Sequence, residues 1–163
     1  MRNVRLALAT LALVAGPCSS DAETTTANLR IEATIVSSCS VVGNTLDFGE
    51  VSEDGGTLLR TKTKIDVTCT QGLPFQVGID NGSNDRNGQR RMKNRTSREF
   101  LRYEIYKSQI GNDRFGDSIV SQRVNGIGRG QRAVVIPAFG EIQAGQSEPA
   151  GRYLDNAVVT VYF

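Results

Sequence analysis

The stretch "ANLRIEATIVSSC", residues 27–39, decides the fold class. From position 29 to position 35 the apolar side chains occupy the odd positions, and the even positions are polar or charged. Alternation with a period of two predicts a β-strand with one buried face and one solvated face. The apolar set is Leu29, Ile31, Ala33 and Ile35. A polar run precedes it near the start of the chain, where domains are usually least ordered, so the pattern does not say which sheet the strand joins.

The first 22 residues have the layout of a secretory signal peptide. Arg2 and Arg5 precede a short apolar core at residues 6–16, and small residues then occupy the −3 and −1 positions of a cleavage site after Ala22. The apolar core is too short to span a bilayer. A proline stands directly before the first cysteine, which disfavours a lipid anchor. We therefore predict an exported protein whose remaining residues are enough for one domain.

Export changes how the three cysteines are interpreted. Cys18 is removed with the signal peptide, which leaves Cys39 and Cys69 in an oxidising compartment. An even pair in an exported chain predicts a Cys39–Cys69 disulfide. The alternative is two buried free thiols.

Strand and turn patterns fill the rest of the chain, with almost no helical periodicity. The last strand places Ala157, Val159, Val161 and Phe163 on one face. One segment contains Pro137, so it should lie at a sheet edge or bend there. Together the segments predict a one-domain, all-β sandwich. The predicted strands are Thr45–Val51, Thr63–Thr70, Pro74–Asp80, Glu99–Ser108, Gln131–Ile142 and the C-terminal 150–163.

Catalytic and metal chemistry is not indicated. The chain has no histidine, which removes the usual base of serine and cysteine hydrolases and the commonest nitrogen ligand of zinc. The closest acidic pair, Glu53 and Asp54, lies in a glycine-rich turn and is interpreted as a solvated loop. The glycine-rich Gly126–Gly130 lacks a strand–turn–helix context and is predicted to be a surface loop. We predict no enzyme activity and no cofactor, although a carboxylate hydrolase is not excluded.

A basic run extends from Asp85 to Arg102, with seven basic residues and two acidic ones. A nucleic-acid surface is one interpretation. Its single aromatic residue, Phe100, is too few to stack on successive bases, and an exported protein rarely meets nucleic acid. A solvated hairpin and loop is therefore favoured, with no nucleic-acid partner.

These features together resemble the spore coat protein U family, whose members include subunits of archaic (Csu-type) chaperone–usher pili. The resemblance covers almost all of the mature chain, although the loop from Gly111 to Gly130 has no clear counterpart. Both cysteines are in place. The motifs that carry it are "SSC", "LDFGEV", "VTCT", "FQVGIDNG", "RRMKN", "YEIYKS", "IPAFGEIQAGQ" and the C-terminal "AGRYLDNAVVTVYF".

The resemblance implies an incomplete immunoglobulin-like Greek-key β-sandwich that a strand from a neighbouring subunit completes. On this pattern residues 1–22 are the signal peptide, 23–37 the donor strand and 38–163 the pilin-like domain. Leu29, Ile31, Ala33 and Ile35 would be donated to a neighbour. Ala157, Val159, Val161 and Phe163 would border the acceptor groove and the edge that a chaperone occupies.

The implied function is that of a structural pilus subunit serving adhesion or biofilm formation. Its partners would be homologous subunits in a head-to-tail polymer, a periplasmic chaperone and an outer-membrane usher. It would pass through the periplasm to the cell surface. Two alternatives stay open: the N-terminal strand is an ordinary first strand of a complete sandwich, or the chain is a monomeric secreted spore-coat or adhesin binding module.

Overall fold

The computed structural model describes residues 23–51 and 57–163. The predicted signal peptide and the Glu53–Asp54 pair lie outside the described residues. Two compact units divide the chain, Met1–Thr34 and Ile35–Phe163. In the first unit, the described residues 23–34 form no strand. All strands described below belong to the second unit. Within the part of the chain that the structure describes, no helix is long and apolar enough to cross a membrane.

In its described residues, 35–51 and 57–163, the second unit has ten strands and one short 3₁₀ turn, Val120–Gln122. The strands are β1 Cys39–Gly43, β2 Leu59–Cys69, β3 Pro74–Ile79, β4 Arg91–Asn94, β5 Phe100–Arg102, β6 Glu104–Tyr106, β7 Val124–Ile127, β8 Val134–Ile142, β9 Tyr153–Leu154 and β10 Val159–Tyr162. A four-stranded sheet has the order β1-β2-β8-β6, and two three-stranded sheets have the orders β10-β3-β7 and β5-β4-β9. The pairings between these strands are all antiparallel.

One apolar core joins the sheets, and the alternating residues supply it. In β2 every second residue from position 65 to 69 is buried, and in β3 residues 75, 77 and 79 are buried. These side chains pack with buried residues of β6 and β8 into one cluster. The sandwich predicted from alternation is confirmed.

The Cys39–Cys69 disulfide is present in the structure. Cys39 begins β1 and lies opposite Cys69 at the end of β2 in the antiparallel register. The bond therefore ties an edge strand to the sheet at the point where that strand begins.

Three predicted strands differ in the structure. The C-terminal segment 150–163 is two strands, β9 and β10, which lie in different sheets, and neither Ala157 nor Phe163 lies in a strand. Thr45–Val51 forms no strand. Leu46 and Phe48 nevertheless pack against the core, because Gly140 of β8 has no side chain and leaves room for both. Glu99–Ser108 is two strands, β5 and β6, which join different sheets on either side of Tyr103. A change of sheet keeps the side-chain alternation intact, so the sequence pattern does not reveal it.

The position of Pro137 agrees with the expectation that this proline lies at a sheet edge or bend. Pro137 lies inside β8, opposite Lys64 of β2. On its other side β8 pairs with β6 only at residues 139–141. At Pro137 the strand therefore has one neighbour, so a proline removes no hydrogen bond on the open side.

The basic run is the hairpin β4–β5, as predicted, but it is not wholly solvated. Arg90 is 0% exposed, and the expectation of a solvated segment is wrong for this residue. Its guanidinium donates to the carbonyl oxygens of Ile79, Asp80 and Phe115 and pairs with Glu104. Four acceptors converge on one position in the fold, which the local sequence does not show.

The predicted surface loop Gly126–Gly130 is also partly wrong. Gly126 and Ile127 belong to β7 and pair with β3. Gly128 is buried, and a Cβ atom there would clash with the backbone carbonyl oxygens of Thr70 and Cys69. These glycines permit close backbone approach, which is a structural role.

Candidate functional site

The candidate site begins with two strands that are each paired on one side only. β1 ends the four-stranded sheet, and β10 ends a three-stranded sheet. The two edges lie close together: a Cβ atom on Gly43 would be 3.8 Å from Cγ2 of Val159. An unpaired edge leaves backbone N–H and C=O groups available for another strand.

A groove of about 1240 Å³ opens beside these edges. One wall is the segment 43–51 and the other is 148–159. The floor of the groove is apolar, because the groove opens between the sheets and exposes side chains of the core. The core residues that line it are Ile65, Ile79, Leu101, Tyr103, Ile105 and Ala138. A cavity of this size, lined by core side chains, can accept further apolar side chains.

A buried tyrosine supports one wall of the groove. The hydroxyl of Tyr103 donates to Oδ2 of Asp155 at 2.7 Å, and its ring contacts Phe48 edge-on. Burial raises the pKa of Tyr103 well above its ordinary value, and the hydrogen bond to Asp155 adds to this shift. Oδ1 of Asp155 accepts a 2.8 Å bond from the side chain of Asn84. The segment before β10 is therefore anchored to the core.

Polar contacts hold β10 at both ends. At its start, Val158 donates to Oδ1 of Asp80 at 2.9 Å, and the N–H of Asp80 donates to Val158 O at 3.0 Å. At its end, the hydroxyl of Tyr162 lies 2.8 Å from both carboxylate oxygens of Asp117. Arg123 pairs with the same carboxylate at 3.1 Å and lies 3.8 Å over the Tyr162 ring. The hydrogen bond to Asp117 raises the pKa of Tyr162. One edge of β10 thus stays open while its position is set.

The residues predicted to border the groove do not all lie in it. Ala157, which is exposed, and Val159, which is partly buried, line the groove. Val161 is partly buried and packs against the core, but it does not line the groove. Phe163 follows β10 and is 63% exposed. The residues of the floor were not identified from the sequence, because a core strand and a groove floor share the same alternation.

The predicted donor residues are exposed and have no strand conformation of their own. Leu29 is 83% exposed, Ile31 85% and Ile35 89%. Ala33 is exposed as well. None of the four lies in a strand. A single exposed aliphatic side chain is common in proteins, but three such exposed side chains at odd positions of one short segment are unusual.

No metal chemistry is indicated by the described residues. Residues 23–51 and 57–163 contain no group of three acidic, cysteine or histidine side chains arranged to hold a metal ion.

Comparison with known proteins identifies the family. The family model of the spore coat protein U domain matches residues 25–160. The chain belongs to the spore coat protein U domain family. Protein U of Myxococcus xanthus is 28% identical over 159 residues, with 88% of this chain and 87% of that protein covered.

A solved structure has a similar fold. It is a crystal structure of the CsuC–CsuE chaperone–tip adhesion subunit pre-assembly complex from archaic chaperone–usher Csu pili of Acinetobacter baumannii, with a TM-score of 0.61 and 26% identity. The match covers 80% of this chain and 41% of the solved chain. Our chain thus spans less than half of that chain's length. The likeness agrees with the immunoglobulin-like sandwich that the sequence resemblance implies, and the predicted family is confirmed.

Proposed function

We propose that this spore coat protein U family chain is a structural subunit of a surface pilus built by the chaperone–usher pathway. The observation that carries the proposal is the open apolar groove beside the unpaired edge of β10. A strand laid there gains main-chain hydrogen bonds from the edge and places alternate side chains in the groove. The likeness to Csu pilus proteins supports the same interpretation.

The N-terminal segment has the properties of the strand that fills the groove. Leu29, Ile31 and Ile35 present aliphatic side chains at odd positions, and all three are exposed in the isolated chain. Burying each side chain stabilises the complex by about 1.5–3 kcal/mol, so the three contribute roughly 5–9 kcal/mol before the cost of ordering the segment. Ala33 fits a shallower part of the same row.

Donation from one subunit to the next is a head-to-tail contact. Such a contact does not close on itself and produces an open filament. Before assembly, the groove would be an exposed apolar surface next to a bare strand edge, which favours aggregation. A periplasmic chaperone that occupies the edge of β10 and the groove meets this need, and an outer-membrane usher then passes subunits to the surface. In this scheme the fibre serves adhesion or biofilm formation.

A second function is a monomeric secreted spore-coat or adhesin module. The observation that favours it is the match to Protein U of Myxococcus xanthus over most of both chains. A monomer needs its groove closed, so it would be soluble and stable without a chaperone. The pilus subunit instead aggregates or polymerises when expressed alone and forms a soluble one-to-one complex with its chaperone.

The decisive experiment compares substitutions at odd positions of the N-terminal segment with the same substitutions at its even positions. The double variant Ile31→Asp/Ile35→Asp places two carboxylates where the proposal requires buried aliphatics. Each buried charge costs several kcal/mol, so together they cancel the gain from the donated strand. The control Thr34→Asp/Val36→Asp places the same charges at even positions of the same segment, which face away from the groove.

Assembly is read from polymer ladders on unboiled gels, and folding from chaperone pull-down. We expect the odd-position variant to lose the ladder while keeping chaperone binding and its disulfide, and the even-position control to keep both. A ladder that survives in the odd-position variant would show that these residues are not the donor contacts. Loss of chaperone binding would show instead that the strand belongs to its own domain.

A further inference from the structure

Part of the basic run lies on one face of the sheet β5-β4-β9. Arg91 lies opposite Arg102, and Lys93 lies opposite Leu154. One step beyond the ends of β4 and β9, the N–H of Arg95 donates to the carbonyl oxygen of Arg152 at 3.0 Å. The pairing therefore continues and places these two arginines opposite each other.

Five cations share this face because strand side chains alternate. Between them, Met92 and Leu101 point the other way and pack in the core. Lys93, Arg95, Arg102 and Arg152 are exposed, and Arg91 is partly exposed. We name this surface the basic face; it consists of Arg91, Lys93, Arg95, Arg102 and Arg152.

The basic face lowers the stability of its own sheet. Like charges directly opposite each other on neighbouring strands repel, and here two arginine pairs do so. Within residues 23–51 and 57–163 none of the five forms a salt bridge, whereas Arg90 of the same run does. Arg91 donates to Asn84 O and Arg102 donates to Gln146 Oε1, but these acceptors are neutral and leave the charges unbalanced. Like charges placed opposite each other without an anion in the described fold indicate a functional surface.

We propose that the basic face binds an acidic polysaccharide. Guanidinium groups suit carboxylates and sulfates, which they hold with paired hydrogen bonds. Cations recur every second residue along β4, about 6.6 Å apart, with further cations one strand away at about 4.8 Å. Leu154 lies opposite Lys93 and offers an apolar contact to a sugar ring. A flexible chain of acidic sugars can lie across such a flat surface.

Two other classes of partner fit less well. Phe100 is the one aromatic ring on the face, and the guanidinium of Arg91 lies 4.2 Å over it, so no ring is free to stack on a base. The face spans about four residues on three strands, roughly 200 Å² from ordinary strand spacings. A stable protein partner needs about 800 Å² on each side. A small, repeated contact to a polymer fits this area better.

The proposal does not depend on pilus assembly. If the chain does form a fibre, every subunit repeats the face, and many weak contacts combine into tight binding. The test therefore uses the mature chain in whatever state it purifies, and its outcome is separate from that of the donor-strand experiment.

The probe is alginate, a polymer of uronic acids, with neutral dextran and duplex DNA as comparison polymers. Binding of the protein to each immobilised polymer is measured at about 0.15 M salt, where the screening length is about 8 Å. The test variant is Lys93→Gln/Arg95→Gln. Both side chains are exposed, and neither lines the groove. The matched control is Arg129→Gln/Arg132→Gln, two exposed arginines outside the basic face, which removes the same charge.

We expect alginate binding that dextran does not reproduce, a dissociation constant about fivefold higher in the test variant, and less than a twofold change in the control. The unfolding temperature of both variants should match or exceed that of the wild type. Repulsion is relieved in the first, and neither loses a side-chain hydrogen bond or ion pair to a residue that the structure describes. Equally weakened alginate binding in both variants would show that binding depends only on the net charge of the protein, and it would overturn the proposal. It is likewise overturned by DNA binding as tight as alginate binding, or by no binding to alginate.

Discussion

Replacing the buried Arg90 by methionine should destabilise the domain more than the same change at any other basic residue of the run. Methionine keeps an unbranched side chain but removes all hydrogen-bond donors. Arg90 donates to the carbonyl oxygens of Ile79 at 2.8 Å, Asp80 at 2.6 Å and Phe115 at 2.9 Å, and it pairs with the carboxylate of Glu104. Burial lowers the pKa of the guanidinium, and Glu104 opposes that shift.

The magnitude follows from what is left behind. Three acceptors lose their donor, and Glu104 keeps only Arg114, at 3.2 Å, as a cationic partner. Breaking a buried ion pair from one side costs about 3–5 kcal/mol. A domain is stabilised by about 5–15 kcal/mol, so roughly a fifth or more of the total is lost. With a urea slope of about 2 kcal/mol per molar, the unfolding midpoint should fall by about 2 M.

The assay is urea unfolding followed by circular dichroism on the mature chain, with the predicted donor peptide of residues 23–37 added. The control is the neighbouring Arg91→Met. Arg91 is partly exposed, donates to Asn84 O at 2.9 Å and lies over Phe100, so its loss should cost about 1 kcal/mol. Equal urea midpoints for the two variants would refute the assignment of Arg90 as a residue that stabilises the core. A loss of unfolding free energy below about 1 kcal/mol for Arg90→Met would refute it as well.

Two further predictions concern the disulfide and the buried tyrosine. Denatured wild-type mature protein should show no free thiol by titration, and Cys39→Ser should lower stability by about 3.5 kcal/mol, the chain-entropy value for a sequence separation of 30; two titratable thiols in the exported protein would contradict this. Because the folded-state pKa of Tyr103 is raised, its protonated hydroxyl contributes stability that is complete below a pH of about 10 and is lost as the pH rises further and the hydroxyl ionises. Tyr103→Phe should therefore lose less stability than the wild type between neutral and alkaline pH in urea titrations, and an unchanged pH dependence would argue against the burial of its hydroxyl.

Local alternation was enough to predict the fold class. The strand β3 was predicted almost at its observed bounds, and β2 at its C-terminal end, because a period of two in apolar residues directly reports one buried face. The first four residues of β2, 59–62, were missed. The Cys39–Cys69 pairing followed from export and an even cysteine count, which depend on composition and compartment. The family was also accessible from the ordered set of motifs and is confirmed by the family match to residues 25–160.

Features that depend on distant partners were decided by the tertiary structure. The local sequence does not distinguish Arg90 from the other basic residues of the run. In the structure it is buried, because carbonyl oxygens of two other segments accept its hydrogen bonds. The break at Tyr103 between two sheets leaves no trace in the alternation. The groove exists only because β1 and β10 end their sheets side by side, and its floor residues share the pattern of any core strand. The sequence alone determined which faces are apolar, whereas the strand order determined which of those faces remain uncovered, because pairing between distant segments is a property of the whole chain.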